Sequence, residues 1–326
     1  MENDRIRPDH QSVNLPAQDK LTLQRRTLLG SLFGAALGTT FGATLGTIAT
    51  SAFPRFAFAQ DALLPLNTPG LDHLDVIVPD VAATAKFYMG VFNTTLHAQP
   101  FQGGQRYFVL LGPLPENRAV GYLAIGDSRG RGTYIGHFCT SVVDWRRDSK
   151  AIFAAMAESF SDAGLGEFPG STGVGGIFAD PDGIEIQFLP APDTVVTAAV
   201  PSDLVAAGQG LVTPLRVDNV LLQVSDLDRA LAYYRILYGN ETQRDDAGHT
   251  VFEFSNGSRL LLEQTTYIYG NAQPRIARFG IRVAPFDHAA VAAGITRLGA
   301  TVLDAEAADV VRFRDPDGNV VELVPA

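Results

Sequence analysis

The chain has 326 residues, 46% hydrophobic and 18% charged, which is the composition of a folded globular protein with about two domains. The net charge is −10, and residues 1–60 carry six Lys/Arg against four Asp/Glu, which leaves −12 on the remainder and argues against a nucleic-acid or anionic-membrane partner. The single cysteine, Cys139, excludes an intrachain disulfide and a zinc cluster built from cysteines.

Residues 1–60 have the layout of an export signal. Arg25-Arg26 precede an uncharged stretch from 27 to 54, and Ala57-Phe58-Ala59 is a small-x-small cleavage site before Gln60. The run QRRTLLG, with a glycine- and threonine-rich apolar region after it, resembles a twin-arginine signal. The resemblance implies the twin-arginine translocase as a partner and export of the folded protein to the periplasm. A retained membrane anchor is the alternative, because glycines recur every fourth residue from Gly30 to Gly46.

The rest of the chain is an internal repeat. Residues 71–92 match 217–238, and DPDGIEIQFL at 180–189 matches DPDGNVVELV at 315–324. A repeat of this length predicts two domains of the same fold. We place them at 71–190 and 215–326, joined by a linker at 191–214 that is rich in Ala, Pro, Ser and Gly.

Each copy predicts the same order of elements. Leu71–Val78 alternates between apolar and polar residues as a half-buried strand does, and Asp80 is placed as the N-cap of a helix. Strands are predicted at 106–111, 119–125 and 136–143, then a helix at 149–160 and two strands around the DPDG turn. The second copy predicts strands at 217–224, 250–254, 259–265 and 277–283, helices at 226–237 and 287–298, and a final hairpin.

Two βαβββ units per domain, the helix pattern D-x-x-x-[A/T]-x-x-[F/Y]-Y and the closing DPDG-x-x-x-E/Q strand together resemble the vicinal oxygen chelate superfamily. That group includes glyoxalase I, extradiol dioxygenases and bleomycin resistance proteins. The resemblance implies an α+β fold of two tandem domains, each a pair of βαβββ modules whose mixed sheet forms a cup with the helices outside. It also implies a metal held by side chains that project into the cup.

Strand alternation divides the candidate residues between two faces of the first sheet. Leu74, Val76 and Val78 share an apolar face, so His73 and Asp75 point the other way. By the same rule the polar face carries Tyr122, His137, Cys139, Glu185 and Gln187. We expect these polar faces to converge.

The resemblance places His73, His137 and Gln187 at metal-ligand positions and Tyr122 where glyoxalase I has a glutamate. Two imidazoles and one oxygen donor suit Fe(II), Mn(II) or Zn(II), which would act as a Lewis acid on substrate oxygens. Gln187 brings no charge, so metal affinity is expected to be lower, and Asp75 or Glu185 is the alternative oxygen ligand. Tyr122 and Asp75 are the acid/base candidates. The alternative is a metal-free cup in which the histidines are ordinary buried polar residues.

The second domain lacks these histidines. The corresponding positions are Asn219, Glu263, Arg278 and Glu322, so a metal is not expected there. We expect Arg278 to pair with Glu322 or Glu263 and so replace the cation that a metal would supply. A solvent-exposed Arg278 is the alternative.

These observations lead to one leading function and one alternative. The leading hypothesis is an exported metalloenzyme that acts on a small oxygenated organic substrate, by a dioxygenase-like reaction or a glyoxalase/epimerase-like proton transfer. The alternative is a metal-free periplasmic binding or resistance protein of the same fold. Either a monomer or a homodimer is compatible with the sequence.

Overall fold

A computed structural model of the chain describes residues 63–112, 121–168, 170–171, 176–191, 199–206, 208–245, 247–265, 275–304 and 309–326. The predicted signal segment at 1–60 and its cleavage site lie outside these residues. Within the described part of the chain, none of the helices combines the length and apolar character needed to cross a membrane.

The first half of the described chain forms one eight-stranded sheet and two helices. Its strands are β1 (Gly70–Val78), β2 (Leu96–Phe101), β3 (Gly104–Leu111), β4 (Gly121–Asp127), β5 (Tyr134–Val143), β6 (Ile177–Ala179), β7 (Glu185–Ala191) and β8 (Val200–Pro201). Helix α1 (Val81–Val91) begins after Asp80, whose carboxylate accepts a hydrogen bond from the Ala83 N–H, and α2 spans Trp145–Asp162. The short strand β8 lies inside the segment predicted as a linker and pairs with β2.

The second half forms another eight-stranded sheet with its own two helices. Its strands are β9 (Thr213–Val224), β10 (Gln243–Arg244), β11 (Thr250–Glu253), β12 (Arg259–Gln264), β13 (Arg275–Ala284), β14 (Thr301–Leu303), β15 (Val311–Arg314) and β16 (Val320–Pro325). Helices α3 (Leu227–Tyr238) and α4 (His288–Arg297) are capped by Asp226 and Asp287.

The two sheets have matching topology. Their strand orders are β6-β7-β5-β1-β4-β3-β2-β8 and β10-β11-β12-β9-β13-β16-β15-β14. In each, the first strand of the copy lies in the centre, between one parallel and one antiparallel neighbour. The predicted α+β fold of two tandem domains with mixed sheets and outer helices is therefore confirmed. The sequence pattern missed β2, whose residues show no clear alternation.

The two faces of the first sheet pack against different groups of residues. The helix-facing side carries Leu74, Val76 and Val78, which are fully buried in the main hydrophobic core. A separate small apolar group on the other face contains Phe108, Leu110 and Ala124. This other face, which also carries His73, is called the site face below.

The repeated motifs join the two domains reciprocally. The hydroxyl of Tyr88, on α1, donates to Asp315 of the second DPDG turn at 2.7 Å. The hydroxyl of Tyr234, on α3, donates to Asp180 of the first DPDG turn at 2.9 Å. All four residues are buried, so the DPDG turns serve the domain interface as well as their own hairpins.

Candidate metal centre

Four strands of the first sheet position the candidate ligands side by side. His73 on β1 lies opposite Tyr122 on β4 and Cys139 on β5. Cys139 in turn lies opposite Gln187 on β7, and His137 lies two residues before Cys139 on β5, on the same face. Since residues opposite one another in a sheet project to the same side, these side chains meet on the site face.

The imidazoles of His73 and His137 meet at their Nε2 atoms, which are 3.2 Å apart. The Gln187 Oε1 atom lies 3.1 Å from His137 Nε2, and the Tyr122 hydroxyl lies 3.3 Å from His73 Nε2. Both histidines are buried, with 1% and 4% exposure. His137 Nε2 therefore lies within 3.2 Å of a ligand atom of each of the other two candidates, and the Tyr122 hydroxyl lies beside His73.

Asp72 fixes the orientation of the His73 ring. Its Oδ1 lies 2.8 Å from His73 Nδ1, and its Oδ2 accepts a hydrogen bond from Ser141 at 2.7 Å. Strict alternation would put adjacent residues on opposite faces, but β1 carries a bulge at this point, where the pairing shifts between Leu71 and His73. The bulge brings Asp72 to the same side as His73.

Asp75 occupies the far side of His137. Its Oδ2 lies 3.5 Å from His137 Nδ1, and its Oδ1 forms an ion pair with Arg106 at 2.8 Å. The carboxylate therefore faces Nδ1 rather than the Nε2 atoms where the other candidates meet. Glu185, the other carboxylate considered as a ligand, is exposed.

The Tyr122 phenol is a proton donor rather than a base. Its ring stacks on His73 with centroids 4.1 Å apart. Burial, followed by the nearby Cys139 thiol and Asp72 carboxylate, raises the pKa of Tyr122 well above its ordinary value. Burial, followed by His73 and Arg106, lowers the pKa of His137 well below its ordinary value, so this imidazole is neutral.

The donor set fits a divalent metal. Because a carboxylate only accepts, Asp72 holds the proton of His73 on Nδ1 and leaves the lone pair on Nε2. Two ligand atoms that each lie about 2.1 Å from an ion, in directions at right angles to one another, are about 3.0 Å apart. The Nε2 atoms of His73 and His137 are 3.2 Å apart, and His137 Nε2 and Gln187 Oε1 are 3.1 Å apart, which is close to that separation. Without an ion, one proton on His137 Nε2 can be shared with His73 and Gln187, and metal binding at Nε2 would require the ring proton to be on Nδ1, which faces Asp75.

A second group of potential ligands overlaps the first. Asp72, His73 and Cys139 offer ligand atoms within 4.8 Å of one another. However, both Asp72 oxygens are engaged, and burial raises the pKa of the Cys139 thiol well above its ordinary value. A metal there would have to displace these bonds and deprotonate the thiol, so the Nε2 side is the better site.

The equivalent positions of the second domain form an ionic network instead. Arg278 Nε lies 3.1 Å from Glu322 Oε1, as predicted for that pair. Arg312 Nε donates to the same oxygen at 2.8 Å, and the Asn219 amide lies 3.4 Å from Oε2. Glu263 is not part of this group. It accepts from Gln223 at 2.7 Å.

His249 lies in the loop between β10 and β11, yet it is buried and paired with two carboxylates. It is only 4% exposed, and its Nδ1 lies 2.8 Å from Asp245 Oδ2. Its Nε2 lies 3.4 Å from Glu263 Oε2. Its partners come from different elements, because Asp245 directly follows β10 and Glu263 lies on β12.

Asp72 and Arg106 are the site residues that the sequence analysis missed. A signal for Asp72 exists, because Leu-Asp-His at 71–73 and Val-Asp-Asn at 217–219 share the aspartate. Asp218 also lies at a bulge, where Arg282 and Arg259 donate to it at 2.6 and 3.1 Å. Arg106 carries no such repeated signal.

Each of the two domains matches the model of a protein family. Residues 70–188 match the model described as the glyoxalase/bleomycin resistance protein/dioxygenase superfamily, and residues 219–324 match the model of a glyoxalase-like domain. Together these matches take in more than half of the chain. No functionally curated protein sequence gives a significant match.

Several solved structures share the fold. The Mn(II)-bound glyoxalase from Novosphingobium aromaticivorans is 15% identical over 81% of this chain and 83% of its own, with a TM-score of 0.52. The 2,3-dioxygenase LapB from Pseudomonas sp. KL28 is 13% identical over 80% and 93%, with a TM-score of 0.55. Homoprotocatechuate 2,3-dioxygenase from Arthrobacter globiformis is 18% identical over 81% and 82%, with a TM-score of 0.50. At these identities the likeness establishes the fold alone.

Proposed function

Since this chain belongs, through its two domains, to the glyoxalase superfamily, we propose that it is a metal-dependent enzyme acting on a small oxygenated organic substrate. The observation that carries the proposal is the convergence of His73 Nε2, His137 Nε2 and Gln187 Oε1 within 3.2 Å of their neighbours. These three residues would hold Fe(II), Mn(II) or Zn(II), which would supply a Lewis acid for vicinal substrate oxygens.

The residues around this point favour a dioxygenase-like reaction over a proton transfer of the glyoxalase type. A proton transfer needs a base near the bound substrate. Among the described residues, the Nε2 side offers an amide and a protonated phenol, whereas Asp75 lies behind His137. Tyr122 can donate a hydrogen bond to a substrate oxygen and is the better candidate for a catalytic role. Asp75 is better suited to orienting His137.

The competing function is metal-free binding of a small molecule by the same residues. It is favoured by the neutral Gln187 ligand, because the donor set then contains no negative charge. In that case the shared proton on His137 Nε2 is the resting state, and the contact between the two rings is a hydrogen bond only.

Metal analysis of the purified protein separates the two functions. We expect about one equivalent of a divalent metal after incubation and desalting, and none in His73→Ala or His137→Ala. Gln187→Glu should bind metal more tightly than the wild type, because it adds a charge. Wild-type protein that retains no more metal than His73→Ala would support the binding protein instead.

We also propose that the protein works in the periplasm after export through the twin-arginine translocase. The support is the layout of residues 1–60. N-terminal sequencing of periplasmic protein tests it. A mature chain starting at Gln60 is expected, and full-length chain in the membrane fraction would favour the anchor.

A further inference from the structure

A cavity of about 390 Å³ lies on the site face beside the candidate metal centre. Its lining includes Asp75 and Ile77, which are two and four residues along β1 from His73, and Gly126, which lies opposite Ile77 on β4. Even spacing along a strand keeps side chains on one face. The cavity therefore continues the surface on which His73, Tyr122 and His137 meet.

Arg106 is the central charged group of this cavity. Its guanidinium lies 5.6 Å from the ring centroids of both Phe101 and Phe108, and its Nη2 forms the 2.8 Å ion pair with Asp75. Two aromatic contacts and a carboxylate hold the planar group in place. Its Nε is buried and has no hydrogen-bond partner among the described residues, so part of its donor capacity remains available.

The side chains that line the cavity carry three guanidinium groups against two carboxylates. Arg129 and Arg131 stand at its exposed rim with Arg106 behind them, against the carboxylates of Asp75 and Asp127. Both carboxylates are already engaged. Asp75 faces Arg106 and His137, and Asp127 accepts from the Arg129 backbone N–H at 2.8 Å. An apolar wall with a fixed guanidinium suits a planar organic acid.

We infer that this cavity binds the carboxylate end of the substrate through Arg106. The substrate class is then a small organic acid whose apolar body lies along Phe108 toward Tyr122, since the two rings are 5.3 Å apart. That the bound acid is a substrate rests on the proposed function. The presence of an anion site beside His137 is tested separately from metal binding.

The experiment measures binding of benzoate and of the neutral benzyl alcohol to the full chain in EDTA, by saturation-transfer NMR and calorimetry. We expect wild-type protein to bind benzoate at least tenfold more tightly than benzyl alcohol. Arg106→Met should lower benzoate affinity at least tenfold and leave benzyl alcohol binding unchanged. Arg147→Met is the matched control, because Arg147 is an exposed arginine on α2, and it should change neither.

Further measurements keep the result interpretable. Arg106→Lys retains the charge without the planar fork, so an intermediate benzoate affinity is expected, and it replaces the Met variant if that one does not fold. Wild-type benzoate affinity in Arg106→Met, or no benzoate binding while Mn(II) still binds, would overturn the inference and leave the proposed function standing. Benzoate binding that depends on Arg106 in a protein that binds no Mn(II) would support the anion site and refute the metalloenzyme.

Discussion

Replacing Asp72 by Asn should weaken metal binding, although Asp72 contacts Nδ1 of His73 and not the Nε2 atom that would bind the metal. The carboxylate is fully buried, lies 2.8 Å from His73 Nδ1 and holds that ring with its Nε2 lone pair toward His137. Asn keeps an acceptor of the same shape but removes the negative charge that makes the ring a stronger ligand. The change therefore removes the charge beside His73, and it also replaces the oxygen that accepts from Ser141 by an amide N–H donor.

The expected loss follows from the hydrogen bond. A bond to a buried charged group contributes about 1.5–3 kcal/mol, and each 1.4 kcal/mol is a factor of ten in affinity. We therefore expect Asp72→Asn to weaken Mn(II) binding about 10- to 100-fold. Ser141→Ala, which removes the 2.7 Å bond to the other carboxylate oxygen but keeps the charge, should have a smaller effect.

The assay is calorimetric titration of EDTA-treated, desalted protein with Mn(II). Asp228→Asn, at an exposed position on α3, serves as the control and should behave as the wild type. Wild-type affinity in Asp72→Asn, or an equal loss in Asp228→Asn, would refute the reasoning.

Three further predictions concern stability and the second domain. Arg278→Ala should lower the free energy of unfolding, measured by urea denaturation, by about 1–3 kcal/mol. This is less than the roughly 3–5 kcal/mol expected for breaking a buried ion pair, because Arg312 still compensates the charge of Glu322. His73→Ala should also lower that free energy, by about 1.5–3 kcal/mol, because the buried Asp72 carboxylate loses its 2.8 Å partner. His73→Ala should abolish metal binding, whereas Arg278→Ala should leave it unchanged. The opposite result for metal binding in these two variants would mean that the working site lies in the second domain. Burial raises the pKa of Asp180 to about 6, so the folded state keeps a proton that the unfolded state loses near pH 4. The free energy of unfolding of the wild type, relative to that of Asp180→Asn, should therefore fall by up to about 3 kcal/mol as the pH rises from 4 to 6. A difference between the two proteins that does not change with pH would mean that Asp180 is not the source.

The duplicated architecture and the phase of the strands could be predicted from the order of the residues alone. Alternation along Leu71–Val78 places His73 on the face opposite Leu74, and the same rule holds for His137 and Gln187. These are local properties of an extended chain, because successive side chains point to opposite sides whatever the neighbouring strand is. The candidate ligands could therefore be named before their separation was known.

The partners of the buried polar groups, by contrast, depend on contacts between segments that are far apart in the chain. The bulge that carries Asp72 to His73 depends on the pairing of β1 with β5, and strict alternation alone would reject it. Arg312 reaches Glu322 from a neighbouring strand and shares it with Arg278. Such partners are chosen by distance in space and by the need to pair buried charge, and neither is a property of nearby residues in the sequence.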